Sequence, residues 1–249
     1  MDFGLDGAVM LVTGASRGLG AAMATTLAAE GASVVAAARS TGSLAEVAAR
    51  GKGRITAEAV DMRDEDAVTA LVETVVARHG RIDALVNNAG IAPAGKFVDQ
   101  DPGVWKETMA VNVIAPMLLA QAAGRHMIAQ GSGRIVNVAS TTGVRGKPHL
   151  VGYSTSKGAV VRMTESLAAE WAGKGVQVNC IAPGAFATDA QSAVLESPDL
   201  LARRVKKIPA GRMAEAEELM PLVCLLVSAR SPFTTGSVFV VDGGESGKL

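Results

Sequence analysis

Aromatic side chains are scarce in this 249-residue chain, which holds five phenylalanines, two tryptophans and a single tyrosine. Ala, Val, Leu and Gly must therefore do the packing, which suits helices lying close against a sheet. Cysteine is rarer still. Cys180 and Cys224 stand in apolar stretches without metal-ligand spacing, so buried thiols are expected and a metal site is not. Neither charge predominates, with 24 Lys plus Arg against 24 Asp plus Glu, so no net field recruits nucleic acid or an anionic membrane. No apolar run approaches the roughly 18 residues of a membrane span. The acidic start, Met1-Asp2-Phe3-Gly4-Leu5-Asp6, lacks a signal-peptide pattern, and a cytoplasmic location is the expectation. Linkers, low-complexity tracts and short repeats are also missing, so residues 1–249 are expected to form one domain.

Hydrophobic residues make up 49% of the chain, enough for a sizeable core. Short β-branched or apolar runs at 9–12, 33–37, 55–60, 82–86, 134–139, 176–181 and 237–241 predict strands. Longer helical patterns at 19–29, 64–78, 104–129 and 153–172 lie between them. Such alternation implies βαβ units, hence an α/β fold with a doubly wound parallel sheet and helices on both faces. Several strands are nearly continuous apolar runs, as a sheet covered on both sides requires. Residues 183–211 form the longest stretch read as irregular, and long segments of this kind often close over active sites.

The first strand runs into Thr13-Gly14-Ala15-Ser16-Arg17-Gly18-Leu19-Gly20, and a helix follows. A strand, a glycine-rich turn and a helix N-terminus make a pyrophosphate site. Gly14 permits the tight turn, Gly18 lets phosphate approach the backbone, and Gly20 lets the helix pack near the strand. A glycine-rich turn that merely tightens βα packing would look similar. The second strand ends in Ala36-Ala37-Ala38-Arg39-Ser40. A carboxylate there would grip the 2′-hydroxyl of NAD, whereas arginine accommodates the 2′-phosphate of NADP. Ala38 stands at the acidic position, Arg39 follows, and Arg17 lies in the loop. The pattern favours NADP(H) over NAD(H), although either arginine could be simply solvated.

The only tyrosine, Tyr153, lies four residues before Lys157, one helical turn away on the same face. A neighbouring ammonium favours the phenolate, lowering a pKa of ~10 toward the range useful for proton transfer. A surface Tyr–Lys pair on an amphipathic helix is the plainer explanation of these two residues alone. Ser140 ends the fifth strand at the carboxyl edge, where its hydroxyl can bond a substrate carbonyl or cap a turn. Asn112 stands inside a helical pattern despite poor propensity, which suggests a task there, or a local kink.

Together, Thr13-Gly14-x-x-x-Gly18-x-Gly20, Asn87-Asn88-Ala89-Gly90, Asn112, Ser140, Tyr153-x-x-x-Lys157 and Pro183-Gly184 with Thr188 resemble the compact branch of the short-chain dehydrogenase/reductase family. The resemblance covers essentially the whole chain, and the order and spacing of these short motifs are specific. It implies a single-domain Rossmann-type seven-stranded parallel sheet, usually assembled as a homotetramer. It also implies catalytic roles for Asn112, Ser140, Tyr153 and Lys157. Ser140 would orient the substrate, and Tyr153 would exchange a proton with it. Lys157 would tune Tyr153 and bond the nicotinamide ribose, while Asn112 would anchor a water that relays protons.

For the cofactor, the resemblance implies contacts from Gly14, Ser16, Arg17, Gly18, Leu19, Gly20, Arg39, Asn88, Ala89, Gly90, Tyr153 and Lys157. Asp61, followed by Met62, is similar to the acid that accepts from the adenine amino group, or is a strand-end turn residue. Pro183, Gly184, Phe186 and Thr188 resemble the loop that closes over the nicotinamide. The family often has Ile or Val where Phe186 stands, so the ring is expected to narrow the pocket.

The implied activity is NADP(H)-dependent interconversion of a ketone and a secondary alcohol, with a small-molecule carbonyl or alcohol as partner. Members of this branch include reductases of 3-oxoacyl groups on acyl carrier protein. They use basic residues near the ends of the fourth and fifth helices. Lys174 fits one such place, but Gln130-Gly131-Ser132-Gly133 is not basic at the other, so docking of a carrier protein stays open. An NAD-dependent alcohol or sugar dehydrogenase of the same family is the alternative. A dinucleotide-sensing regulator should have lost catalytic positions, and all four are present. A sugar-nucleotide epimerase would carry a C-terminal substrate domain, for which the five residues after Gly244 leave no room. Arg203, Arg204, Lys206 and Lys207 could steer an anionic substrate or form a solvated helix face, and His149 could contact substrate or lie exposed.

Overall fold

The computed structural model describes residues 2–247. All seven expected strands form: β1 (Val9–Thr13), β2 (Ser33–Ala38), β3 (Ile55–Ala59), β4 (Ala84–Asn87), β5 (Gly133–Val138), β6 (Val176–Pro183) and β7 (Val238–Val241). They pair in parallel in the order β3-β2-β1-β4-β5-β6-β7. Leu11 of β1 stands opposite Val35 on one side and Leu85 on the other. The order reverses between β1 and β4, and the crevice at their carboxyl ends is where such sheets bind ligands.

Helices cover both faces. α1 (Gly18–Ala29), α2 (Thr41–Arg50) and α10 (Met220–Val227) lie on one, where Met23, Leu27, Leu44 and Val223 are buried with Met10 and Val12. The other carries α3 (Glu65–His79), α4 (Pro102–Met109), α5 (Ala115–Gln130) and α7 (Val151–Trp171), and Val72, Leu119 and Trp171 pack with Leu11 and Ile135. Low aromatic content is put to use here. Gly124 of α5 faces Trp171 so closely that a Cβ would lie 2.7 Å from the indole, so one large ring fits against a helix with no side chain there.

Local signals set the helix ends. Asp64 accepts from the Ala67 amide at 3.0 Å to cap α3, and Asp101 accepts from Gly103 at 2.8 Å ahead of Pro102 at the start of α4. The pattern read over 104–129 is one helical run interrupted by a π-turn at Ala110–Ile114, where the Ala115 amide reaches back to Ala110. Asn112 lies inside that turn, the kink that its poor propensity allowed for.

The stretch 183–211 is not irregular. It contains α8 (Ser192–Leu195) and α9 (Pro198–Val205), with Ser197 capping α9 through the Leu200 amide at 3.4 Å. Both helices are about two turns or shorter, too brief for a periodic pattern to stand out from a loop. A short α6 (Thr141–Val144) follows β5.

Candidate active site

The turn after β1 is built by steric necessity. Gly14 has φ +65°, and a Cβ on it would lie 2.8 Å from the Ala89 Cα. A Cβ on Gly20 would overlap the Gly14 carbonyl oxygen. Thr13 ties this turn to the segment after β4, its Oγ1 accepting from the Asn88 and Ala89 amides at 3.1 Å each. The Asn88 side-chain amide returns a bond to the Thr13 carbonyl at 2.9 Å. The backbone is thus drawn in, and a cavity of about 710 Å³ opens along the carboxyl edge of the sheet.

Gly14, Ser16, Arg17, Gly18, Leu19 and Gly20 line that cavity, as do Arg39, Asp61, Met62, Asn88, Ala89, Gly90 and Thr188. Sequence reasoning missed Ser40 and Ser43, which also line it at the start of α2, the Ser40 hydroxyl donating to Ser43 at 3.1 Å. A signal was available, since a serine before a helical segment is a capping residue, but α2 itself does not figure among the expected helices. Arg39, Ser40, Ser43 and the unpaired amides of the first α2 turn together offer donors to a phosphate. An elongated cleft with backbone donors at one end and guanidiniums nearby fits a phosphorylated dinucleotide.

Asp61 is more engaged than expected. Arg63 grips it through its backbone amide at 3.0 Å and through Nε at 3.0 Å to each carboxylate oxygen, and reaches Glu107 of α4 at 3.2 Å. The Arg63 side chain is the main influence holding the Asp61 carboxyl below its usual range, with Arg39 adding a little. Any adenine amino group would share this carboxylate with Arg63.

At the other end, Lys157 is 4% exposed and donates to the Val138 carbonyl at 2.7 Å. Its Nζ lies 5.8 Å from the centre of the Tyr153 ring and 3.3 Å from where a Cβ on Gly90 would stand. Gly90 of the cavity wall therefore stands against Lys157, while Ser140, Tyr153 and Lys157 themselves lie outside that wall. Burial pushes the Lys157 ammonium down to about 8. Burial also pushes the Tyr153 phenol up, and Ser140 is the neighbour that works in the opposite direction. The expectation that Lys157 itself lowers Tyr153 is not met in this structure, where burial and Ser140 are the influences on the phenol. Ser140 accepts from the Thr142 amide at 3.2 Å as the cap of α6, and its side chain also stands beside Tyr153.

Asn112 is fully buried, and its side chain is bonded to protein at both ends. Its Oδ1 accepts from the Ile91 amide at 2.9 Å, while Nδ2 donates to the Ile91 carbonyl at 2.9 Å and to Ser156 Oγ at 3.0 Å. Ser156 in turn donates to the Tyr153 carbonyl at 2.7 Å. The side chain therefore braces the loop after β4 against the helix that bears Tyr153, with both of its amide hydrogens committed.

Phe186 departs most from expectation. Only 4% exposed, it packs with Leu219, Met220 and Val223 in the core and is not part of the cavity wall. An apolar ring gains more from that burial than from a polar cleft, so it does not narrow the pocket. Pro183 and Gly184 sit at the end of β6, where the Gly184 amide donates to Val241 at 2.9 Å, and they too lie outside the wall of this cavity. Lys174 pairs loosely with Glu170 at 3.9 Å, and His149 is exposed with φ +64°.

Comparison with known proteins agrees with this geometry. A family profile described as enoyl-(acyl carrier protein) reductase matches residues 14–246. The chain is 40% identical over 248 residues to a gluconate 5-dehydrogenase of Gluconobacter oxydans, covering 97% of this chain and 96% of that protein. It is 36% identical over 243 residues to a 3-oxoacyl-(acyl-carrier-protein) reductase of Thermotoga maritima, covering 96% and 98%. Among solved structures, a gluconate 5-dehydrogenase of Burkholderia cenocepacia in complex with NADP and tartrate superposes with a TM-score of 0.94 at 35% identity, covering 100% of this chain and 98% of that one.

Proposed function

The chain belongs to the short-chain dehydrogenase/reductase family of oxidoreductases, and within it we propose an NADP(H)-dependent enzyme that interconverts a ketone and a secondary alcohol on a small polyhydroxylated substrate. The observation that carries this reading is the placement of one cleft. Arg17 and Arg39 stand along its wall, and Gly90 of that wall stands against Lys157, whose Nζ lies 5.8 Å from the centre of the Tyr153 ring. When bound, the nicotinamide cofactor supplies or takes up the hydride.

The chain's own residues do the rest. Ser140 donates to the substrate carbonyl oxygen and holds it beside the Tyr153 hydroxyl. In reduction Tyr153 gives its proton to that oxygen, and in oxidation it receives one. Lys157 stays mostly protonated at neutral pH, with its ammonium near 8, and bonds the ribose hydroxyls. Asn112 keeps Ile91 and Ser156 in register beneath Tyr153. Arg39, Ser40 and Ser43 receive the 2′-phosphate. Residues 183–211, carrying α8 and α9, act as the substrate lid. A cytoplasmic homotetramer is the assembly this reading assigns.

Named activities of relatives favour a polyol or sugar acid over an acyl chain, because several of them are gluconate or alditol dehydrogenases. The turn at 130–133 lacks the basic residue that carrier-protein docking would use, and Lys174 already faces Glu170. The test is a carbonyl and polyol panel with NADPH or NADP and with NADH or NAD. Tyr153→Phe should lower turnover by several powers of ten while cofactor affinity, read by fluorescence titration, stays within a few-fold. Turnover like that of the wild type would refute the mechanism.

A further inference from the structure

We propose that Arg63 is a positioning residue that ties the adenine end of the cleft to the helical turn bearing Tyr153, so that seating the adenosine half of the cofactor also orders the proton donor. This rests on the cofactor and carbonyl sites proposed above.

Arg63 spans two residues of the cavity wall. Asp61, after β3, and Glu107, on α4, both line the cleft. The Arg63 guanidinium bonds Asp61 through Nε at 3.0 Å to each carboxylate oxygen, and its Nη1 reaches Glu107 Oε1 at 3.2 Å. The Arg63 backbone amide adds a further bond to Asp61 at 3.0 Å. One planar fork thus joins a strand end to a helix, a task that a lysine, with its single point of charge, would do poorly. Among the described residues this is the only ion pair that α4 makes.

α4 carries the link onward. Two residues before Glu107, the Trp105 ring lies against α7, where a Cβ on Gly152 would stand 3.2 Å from it. Gly152 immediately precedes Tyr153. Phe97 backs the same indole edge-on, with ring centroids 5.9 Å apart. The far end of α4 makes a second link through the π-turn. There Asn112 donates to Ser156 Oγ at 3.0 Å, and Ser156 donates to the Tyr153 carbonyl at 2.7 Å. α4 and the turn that continues it therefore meet α7 on both sides of Tyr153.

Arg63 and Glu107 are 49% and 42% exposed, and ion pairs of that kind add little to folding. What this pair adds is a connection. An adenosine group seated against Asp61 would immobilise that carboxylate, and with it Arg63, Glu107 and the face of α4 that rests on Gly152. Binding energy from a remote part of a bound molecule can be spent on orientation at the reacting centre.

The test divides the cofactor in two. Reduced nicotinamide mononucleotide supplies the hydride, and adenosine 2′,5′-bisphosphate is added separately at a concentration that calorimetry shows to saturate each protein. In wild type the adenosine fragment should raise turnover of the best ketone roughly tenfold. Arg63→Met and Glu107→Gln should each cut that stimulation to about twofold or less, with urea unfolding midpoints unchanged. Glu107→Gln leaves the grip of Arg63 on Asp61 in place, so its loss of stimulation reports the link and not a disturbed adenine site. Hydrogen exchange at the amides of residues 152–157 reads the same link without turnover. The fragment should slow it roughly fivefold in wild type and leave it unchanged in both variants. That pattern supports the positioning role even if no ketone is reduced, an outcome that would instead defeat the oxidoreductase reading. Stimulation and protection retained in both variants, or absent from a wild type that binds the fragment, would overturn it. Failure of the fragment to bind wild type removes it together with the placement of adenosine at Asp61.

Discussion

Lys157 offers a test of the buried site that needs no substrate. It is 4% exposed and its ammonium falls from 10.5 to about 8 on folding, because burial penalises the charged form. The unfolded chain therefore binds this proton more tightly than the folded one. Between pH 8 and 10.5 stability from this group rises with pH, and below pH 8 its cost is present in full. A difference of ~2.5 pKa units corresponds to about 3 kcal/mol at pH 7, falling to roughly half of that by pH 9.5. Lys157→Met removes the titration and also the bond to the Val138 carbonyl, a loss of about 1–3 kcal/mol that does not vary with pH. The assay is urea unfolding of wild type and variant at half-unit steps from pH 6.5 to 9.5. Wild type should gain about 2 kcal/mol on the variant across that range, with m-values unchanged. Cys180, whose thiol burial pushes up to about 11, contributes a trend of the opposite sign and feels Lys157, so both proteins carry Cys180→Ala to keep the difference between them to Lys157. A stability difference that stays flat with pH would refute the claim that Lys157 is desolvated in the folded chain.

Arg39→Asp should reduce the ratio of NADP to NAD efficiency at least tenfold by placing a carboxylate where a 2′-phosphate is received, and an unchanged ratio in steady-state assays would count against that placement. Thr13→Val leaves the Asn88 and Ala89 amides without their acceptor, so urea unfolding should reveal a loss of about 2–4 kcal/mol. Gly20→Ala should abolish cofactor binding in fluorescence titration, because its new methyl group would overlap the Gly14 carbonyl.

Much of the fold is legible because its strands are buried on both faces. Runs such as Val9–Thr13 and Ala84–Asn87 stand out as apolar stretches between turn signals, and their alternation with helices dictates parallel pairing. Motif residues of the cleft are legible for a different reason: glycines at fixed spacing answer to close backbone contacts that no other residue survives. What stays hidden depends on neighbours distant in sequence. Nothing near Asp61 says that Arg63 will fold back upon it and also reach Glu107. Phe186 reads as a pocket residue until it is seen buried in the same core as Leu219 and Met220. The direction of the Tyr153 shift follows from how much of the ring is covered, which spacing to Lys157 does not encode. α8 and α9 escape through brevity, and α10 because a uniformly apolar segment carries no face preference.

The π-turn at Ala110–Ile114 lets one continuous helix answer to two sites at once. Ahead of it, Glu107 meets Arg63, and Trp105 lies against Gly152; within it, Asn112 meets Ile91 and Ser156. One extra residue in a turn shifts the phase of every later side chain by roughly 100°. Deleting a single residue there would restore ideal helical geometry and yet aim Glu107 and Trp105 away from their partners. In this segment the irregular conformation is the aligned one, so length rather than residue type is the property to which the helix is most sensitive.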